Sequence, residues 1–347
     1  MDRAIFAERQ AQMTSNWYEA VKRREGDVDA YIAKRQAAYL DRWREAGRFA
    51  ADGATVLDVG GGNLFPALME HIKHRKFDYF YIDVDQSAVD ASRNLAQDYG
   101  LKGNQFARGF NDQFQFLDGQ FDAVFSSHCL EHSFDLTRTL QELNRIIKHR
   151  GNLLMAVPFG WEENPEHPYF FGPNHWIALV EDSGFEIRVA QVGREYPESG
   201  YDFFIAARKV RRPHKQPRVD PADYRKDTYQ FVAHSSPCIR YSGNLSTVDG
   251  GHAAHLRGHD WSISITLPGA REVLPIFKNH DWSGMVEING GGKKSYHDLF
   301  SWFATVQPVR HDTHVKLESE HVITVRCSGK NSASWSTEAV LYGLMFR

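Results

Sequence analysis

The stretch Val56-Leu57-Asp58-Val59-Gly60-Gly61-Gly62-Asn63-Leu64-Phe65-Pro66 constrains this chain more than any other. A short apolar run meets three consecutive glycines, and apolar residues then resume at helical spacing. The pattern reads as a buried strand, a tight turn and the start of a helix. Such a turn needs residues that accept positive φ and a backbone that a ligand can approach closely. In an open parallel sheet it lies at the carboxyl edge, where ligands bind. Spacing then narrows the ligand. A dinucleotide fingerprint starting at Gly60 requires glycine at position 65, which is Phe65, and no Gly-Lys-Ser/Thr follows to make a P-loop. What fits is an acidic residue two before the first glycine, Asp58, with Gly60 and Gly62 as a G-x-G pair.

Around this turn the grammar is α/β. The runs Thr55–Leu57, Tyr79–Ile82, Ala123–Phe125 and Leu153–Val157 alternate with helix-period segments. One of these carries Leu136, Leu140, Leu143, Ile146 and Ile147, and Gly151 is expected to close it as a C-cap. Residues 1–50 are charged and alanine-rich and read as a helical lead-in. Strand–helix alternation with continuous apolar strands predicts a parallel sheet covered on both faces. The pattern ends near Ala207. Residues 208–221 hold six Lys/Arg and three prolines, a linker composition. Beyond Thr228 apolar and polar residues alternate: Trp261, Ile263, Ile265 and Leu267; Ile323, Val325 and Cys327; Val340, Tyr342, Leu344 and Phe346. That predicts an antiparallel β-sandwich.

The second strand, ending in Asp83-Val84-Asp85, precedes a helix expected near Ser87. A carboxylate there can accept hydrogen bonds from both hydroxyls of a ribose. Asp85 takes that role in this reading, and Asp83 is expected as a solvated turn residue.

Residues about 54–207 resemble the class I S-adenosylmethionine (SAM)-dependent methyltransferases, in particular the methyltransferase type 11 branch. The resemblance rests on five pieces in order: VLDVGGGNL, YIDVDQSAV, FDAVFSSHCLEH, LNRIIKHRGNLLMAVP and HWIALVEDSGFEIRVA. It implies a Rossmann-like seven-stranded domain with SAM lying across the glycine turn. Asp58, Gly60 and Gly62 match the family's acidic-x-Gly-x-Gly motif, Asp85 matches its ribose-binding acid, and Gly61, Asn63, Gln86 and Ser127 are expected to bind the cofactor with them. Leu64 replaces the usual third glycine and implies a bulkier wall beside the methionine moiety. Where the family commonly has an aspartate for the adenine amino group, this chain offers Asn111 and Asp112.

Methyl transfer requires an aligned nucleophile and, for a hydroxyl acceptor, removal of its proton. The fourth strand ends in Ser126-Ser127-His128, followed by Cys129-Leu130-Glu131-His132. His128 and His132 are both base candidates. His132 reads equally as a helix-start residue bonded to a neighbouring loop, and their spacing suits a metal only if the segment is helical. No metal is expected. The loop from Pro158 to Trp176 is aromatic and carries Glu162, Glu163, Glu166, His167 and His175. His167 is a third base candidate, and Trp161, Tyr169, Phe170 and Phe171 either stack on an acceptor or pack the loop.

Residues 230–347 resemble the galactose-binding-like β-sandwich or jelly-roll modules, on Gly284 through Gly290, Asp298-Leu299-Phe300-Ser301 and His321 to Gly329. Its histidines and tryptophans (His252, His255, Trp261, His280, Trp282) suggest a glycan platform. Trp261 is also placed to be core, and Trp282 is the preferred ligand contact. The domain plan is a helical segment (1–50), the methyltransferase domain (51–208), a basic linker (209–227) and the β-sandwich (228–347).

The expected function is SAM-dependent O-methylation of a carbohydrate, with a glycan or glycoconjugate acceptor and a possible homo-oligomer. RNA or protein methylation, and a binding protein that has lost activity, are the alternatives. A net charge of −3 gives no overall pull toward nucleic acid. Three cysteines without a C-x-x-C pair, the absence of a secretory h-region, and an apolar run at Leu153–Trp161 too short to span a bilayer point to the cytoplasm.

Overall fold

The computed structural model describes residues 27–347 except 162–166, 197–199, 214–216, 268–269, 303 and 313–321. Before residue 27 it describes Arg3, Ile5, Phe6, Glu8, Arg9, Gln12, Glu19, Lys22 and Arg23. The chain forms two units: Met1–Phe159 with Pro173–Pro221, and Gly160–Gly172 with Ala222–Arg347.

In the first unit the apolar runs become seven strands: β1 (Thr55–Val59), β2 (Asp78–Asp83), β3 (Phe106–Arg108), β4 (Phe121–Ser127), β5 (Ile147–Val157), β6 (Phe185–Tyr196) and β7 (Gly200–Lys209). Their order is β3-β2-β1-β4-β5-β7-β6. The first five run parallel, and β7 lies antiparallel between β5 and β6. From β1 the chain builds outward through β2 and β3, then returns to place β4 on β1's other side. The edge between β1 and β4 is therefore the topological switch point, the place where an open α/β sheet leaves a ligand crevice.

Helices accompany the strands, among them α1 (Val28–Ala46), α2 (Pro66–His74), α3 (Gln86–Asp98), α4 (Leu136–Ile146) and α5 (Pro173–Asp182). Asp27 caps α1 by accepting from Ala30 N at 3.0 Å. This helix buries Leu40 and Trp43, and the Trp43 ring lies 4.5 Å from that of Phe125 on β4. Truncating a core tryptophan to alanine typically costs about 3–5 kcal/mol, so α1 is anchored firmly to the sheet. Helix α4 buries Leu136, Leu140, Leu143 and Ile146 as its period predicts, but Gly151 does not cap it. The chain turns at Ile147 directly into β5, and Gly151 lies within that strand. A Cβ there would come 2.8 Å from Asp122 O, so close strand approach, not helix termination, explains the glycine. The basic run after Ala207 is also engaged. Lys209 Nζ donates to the Ile147 carbonyl at 2.7 Å, and Arg218 pairs with Asp182 at 2.8 Å.

In the second unit ten antiparallel strands form one continuous hydrogen-bonded sheet. They are β8 (Gln230–Ala233), β9 (Ile239–Val248), β10 (Ala253–Thr266), β11 (Glu272–Asn279), β12 (Met285–Gly290), β13 (Lys293–Asp298), β14 (Thr305–Pro308), β15 (His311–Asp312), β16 (Val322–Gly329) and β17 (Ala339–Phe346). The expected sandwich is realised by curling: β10 pairs with β9, β16 and β17, and β17 pairs in addition with β8 and β11. Trp261, Ile263, Ile265, Ile323 and Val325 share the core. The alternation expected in β17 is absent, because Val340, Leu341, Leu344 and Met345 are all buried. This strand is central and covered on both faces. Among the described residues, no helix is long and apolar enough to cross a membrane.

Candidate cofactor and catalytic site

The glycine turn leaves β1 at the switch point, and each glycine has its own reason. Gly60 takes φ +71° and donates its N–H to Ile82 O at 2.8 Å; a Cβ there would fall on the Cys129 thiol. A Cβ on Gly61 would lie 2.7 Å from the Asp58 carboxylate. Gly62 takes φ +59°, yet a Cβ there would meet nothing within 4 Å. The turn is thus packed on one side and open at Gly62. Leu64 does not wall this opening; it is buried in the core with Phe65 and Leu68.

Asp58 is fully buried, accepting from Tyr79 Oη at 2.7 Å and from Tyr39 Oη at 3.1 and 3.2 Å. Loss of hydration raises its pKa to about 7, against the pull of the two hydroxyls. Asp83 is not the solvated turn residue expected. It accepts from Gly62 N at 3.0 Å, Asp85 N at 2.9 Å and Tyr81 Oη at 3.3 Å, and so clamps the end of β2 to the glycine turn. Burial raises its pKa as well. The helix begins at Gln86, near Ser87 as expected, with Asp85 as N-cap: its Oδ1 accepts from Ser87 N at 2.9 Å and Ser87 Oγ at 2.8 Å. Gln86 is exposed and bonds Asp90 at 2.9 Å, and Asn63 is exposed on the turn. Sequence reasoning missed Tyr39, Tyr79 and Ser92. The Ser92 hydroxyl donates to Gly62 O at 3.1 Å and accepts from Leu64 N at 3.2 Å.

Beyond β3, Asn111 and Asp112 are both engaged. The Asn111 amide donates to Ser133 Oγ at 3.0 Å and accepts from Thr139 Oγ1 at 3.2 Å. Asp112, fully buried, forms a bidentate pair with Arg3 at 2.6 and 2.7 Å. The Arg3 guanidinium lies 5.0 Å from the rings of both Phe110 and Phe134. A residue from the N-terminal segment therefore already satisfies a carboxylate that the sequence offered to adenine.

Across the switch point, β4 ends in Ser126, whose hydroxyl donates to Val59 O at 3.2 Å, and Ser127, whose buried hydroxyl has no hydrogen-bond partner among the described residues. His128 follows at φ +50° and donates its main-chain N–H to Ala156 O at 2.8 Å. Leu130–His132 is one 3-10 turn, not an α-helix, so the shared helical face anticipated for His128 and His132 does not exist. The two imidazoles meet at a buried carboxylate instead: Glu131 Oε1 lies 3.6 Å from His128 Nδ1 and 3.9 Å from His132 Nε2. On its other side, His128 Nε2 lies 3.5 Å from Asp202 Oδ2, and Asp202 is paired with Arg42 of α1. Burial lowers the His128 pKa to about 4, so its ring is neutral near pH 7. Arg42 and Asp202 carried no sequence signal; their pairing exists only once α1 and β7 meet.

His167 falls in Gly160–Gly172, which folds with the second unit. There Phe170 and Phe171 are buried and Trp161 stacks on Phe231 at 5.3 Å, so these aromatics pack the segment. Glu162, Glu163 and Glu166 lie outside the described residues. Of the supposed glycan platform only His252 is exposed. Trp261 is core, His255 pairs with Glu338 at 2.6 Å, and half-buried Trp282 packs against His255 and His280. Among the described residues, the exposed tryptophans are Trp302 (75%) and Trp335 (79%).

A glycine turn at the switch point of a seven-stranded, mostly parallel sheet defines the first unit as a doubly wound α/β cofactor-binding domain. Comparison with known proteins makes that class specific. Residues 57–155 match the family described as methyltransferase domain. An uncharacterized methyltransferase of Mycobacterium sp. (strain KMS) is 30% identical over 141 residues, 39% of this chain and 53% of that protein. The ubiquinone/menaquinone biosynthesis C-methyltransferase UbiE of Shewanella sp. (strain ANA-3) is 28% identical over 108 residues, 30% of this chain and 43% of that protein. The chain thus spans about half the length of the curated relatives it matches. A solved SAM-dependent methyltransferase from Aquifex aeolicus is 24% identical, with a TM-score of 0.40, covering 49% of this chain and 90% of that one. The chain contains a SAM-dependent methyltransferase domain, followed by an antiparallel β domain.

Proposed function

We propose that the protein transfers the SAM methyl group to a hydroxyl of a carbohydrate acceptor, with His128 as general base. The observation that carries this reading is the juxtaposition at the switch point: the turn open at Gly62 stands opposite the strand end that bears Ser127, His128 and Glu131. Gly60–Gly62, Asp83 with Asp85, and the buried Ser127 hydroxyl are the groups that suit the cofactor. The turn gives it room, the carboxylates suit ribose hydroxyls, and Ser127 supplies a polar contact. Bound SAM supplies a sulfonium-activated methyl group, whose sulfur keeps the electron pair of the broken C–S bond. The protein's own task is to hold the acceptor hydroxyl in line and take its proton as the oxygen attacks. A neutral His128 is in the correct state to receive it, and Glu131 beside Nδ1 stabilises the imidazolium that forms.

The carbohydrate assignment draws on the second unit, which presents Trp302 and Trp335 to solvent. Aromatic faces of that kind stack on the apolar face of a sugar ring.

Calorimetry with S-adenosylhomocysteine (SAH) is the first test. The intact chain is expected to bind, and Asp85→Ala to weaken binding by about 1–3 kcal/mol, the scale of a charged hydrogen-bond acceptor. A chain that does not bind SAH overturns the enzymatic reading. Transfer of labelled methyl from SAM to a glycan panel tests the acceptor, and labelling of RNA or protein instead would replace carbohydrate.

A further inference from the structure

His128 has a carboxylate on each side, Glu131 and Asp202. Glu131 belongs to the same short turn. Asp202 comes from β7, is fully buried, and its Oδ2 meets both Arg42 and His128 Nε2. Its Oδ1 lies where a Cβ on Gly193 of β6 would fall, so that position accommodates only glycine. Burying an arginine–aspartate pair is no route to stability in itself, since well-packed apolar residues commonly do as well. The pair holds α1 to β7 with a carboxylate oxygen aimed at an imidazole whose own backbone is fixed at φ +50°.

A neutral imidazole carries one N–H, and its position decides which nitrogen can act as a base. Arg42 donates to the same Asp202 Oδ2 that faces His128 Nε2, which fixes where that oxygen lies. Arg35, also on α1, is the other charge acting on the ring from that side. We propose that Asp202, backed by Arg42, is the positioning residue for His128: it holds the ring as the Nε2–H tautomer and leaves Nδ1 as the proton acceptor beside Glu131. The proposal rests on His128 being the base, but its geometry can be tested without an acceptor.

The experiment is long-range proton–nitrogen NMR of the full chain labelled with 15N-histidine, at pH 7, with His128 assigned by loss of its signals in His128→Gln. The wild type is expected to show protonated Nε2 and bare Nδ1. In Asp202→Asn, which can still accept from Arg42 but has no charge, the two tautomers should mix. A wild-type ring protonated at Nδ1, or an Asp202→Asn spectrum identical to wild type, overturns the proposal. If Asp202→Asn does not fold, Arg42→Met supplies the reading: with the opposing cation gone, His128 should take its second proton at higher pH, and an unchanged titration overturns the proposal. Failure of the wild type to bind SAH would sink the functional reading and leave this spectrum interpretable.

Discussion

The carboxylates that most resemble ligand groups in the sequence turn out to brace the turn. Asp58 is the clearest case. Its folded pKa of about 7 stands above the ordinary 3.8, so the unfolded chain gives up its proton first. Its contribution is full below pH 3.8 and drains as pH rises toward 7, each unit of the gap being ~1.4 kcal/mol. Asp58→Asn keeps an acceptor for Tyr79 and removes the ionisation. Urea midpoints should show the variant gaining on wild type across that interval and running parallel above it; a constant difference at all pH values would contradict the buried, uncharged state. His128 acts in the opposite sense. With its folded pKa lowered to about 4 from 6.5, its contribution is full above 6.5 and lost as pH falls toward 4. The sequence located both residues at strand ends, on β1 and just after β4, because strand ends and glycine turns are local patterns. It misjudged Asp83, since whether a carboxylate at a strand end is solvated depends on where Gly62 N, three-dimensionally its neighbour, comes to lie.

At the scale of elements, the β1–turn–α2 unit was legible from spacing alone, and so was the buried stripe of α4. What spacing does not carry is the contact between elements distant in sequence. Gly60 shows the difference. Its positive φ belongs to the turn, but its lack of a side chain is also demanded by Cys129, beyond β4. Gly60→Ala should therefore weaken SAH binding and lower stability, and adding Cys129→Gly should recover part of the loss. If the second substitution gives no recovery, φ strain alone accounts for Gly60. The end of α4 was misplaced for a similar reason: it stops where β5's pairing begins rather than at a glycine.

For the whole molecule, the change from strand–helix alternation to strict strand alternation marked two architectures correctly. The curled single sheet was out of reach, because one strand pairing with three others leaves no periodic trace. The tryptophans shifted accordingly: Trp261 serves the core, and Trp302 and Trp335, unremarkable in sequence, are the ones left in water. Replacing both with alanine should leave the urea midpoint of the full chain nearly unchanged, since exposed side chains contribute little to stability, while abolishing retention on a glycan array. Unchanged retention would move the glycan contact elsewhere.

The chain passes between its two units three times, after Phe159, after Gly172 and after Pro221. Phe170, from the short excursion, is buried with Leu274, Ile276 and Met345 of the β domain. A module appended behind an enzyme can be gained, lost or exchanged by a single recombination at its junction. Here a break near Pro221 would leave Phe170 on the methyltransferase side of the cut, parted from the Leu274, Ile276 and Met345 side chains it packs with.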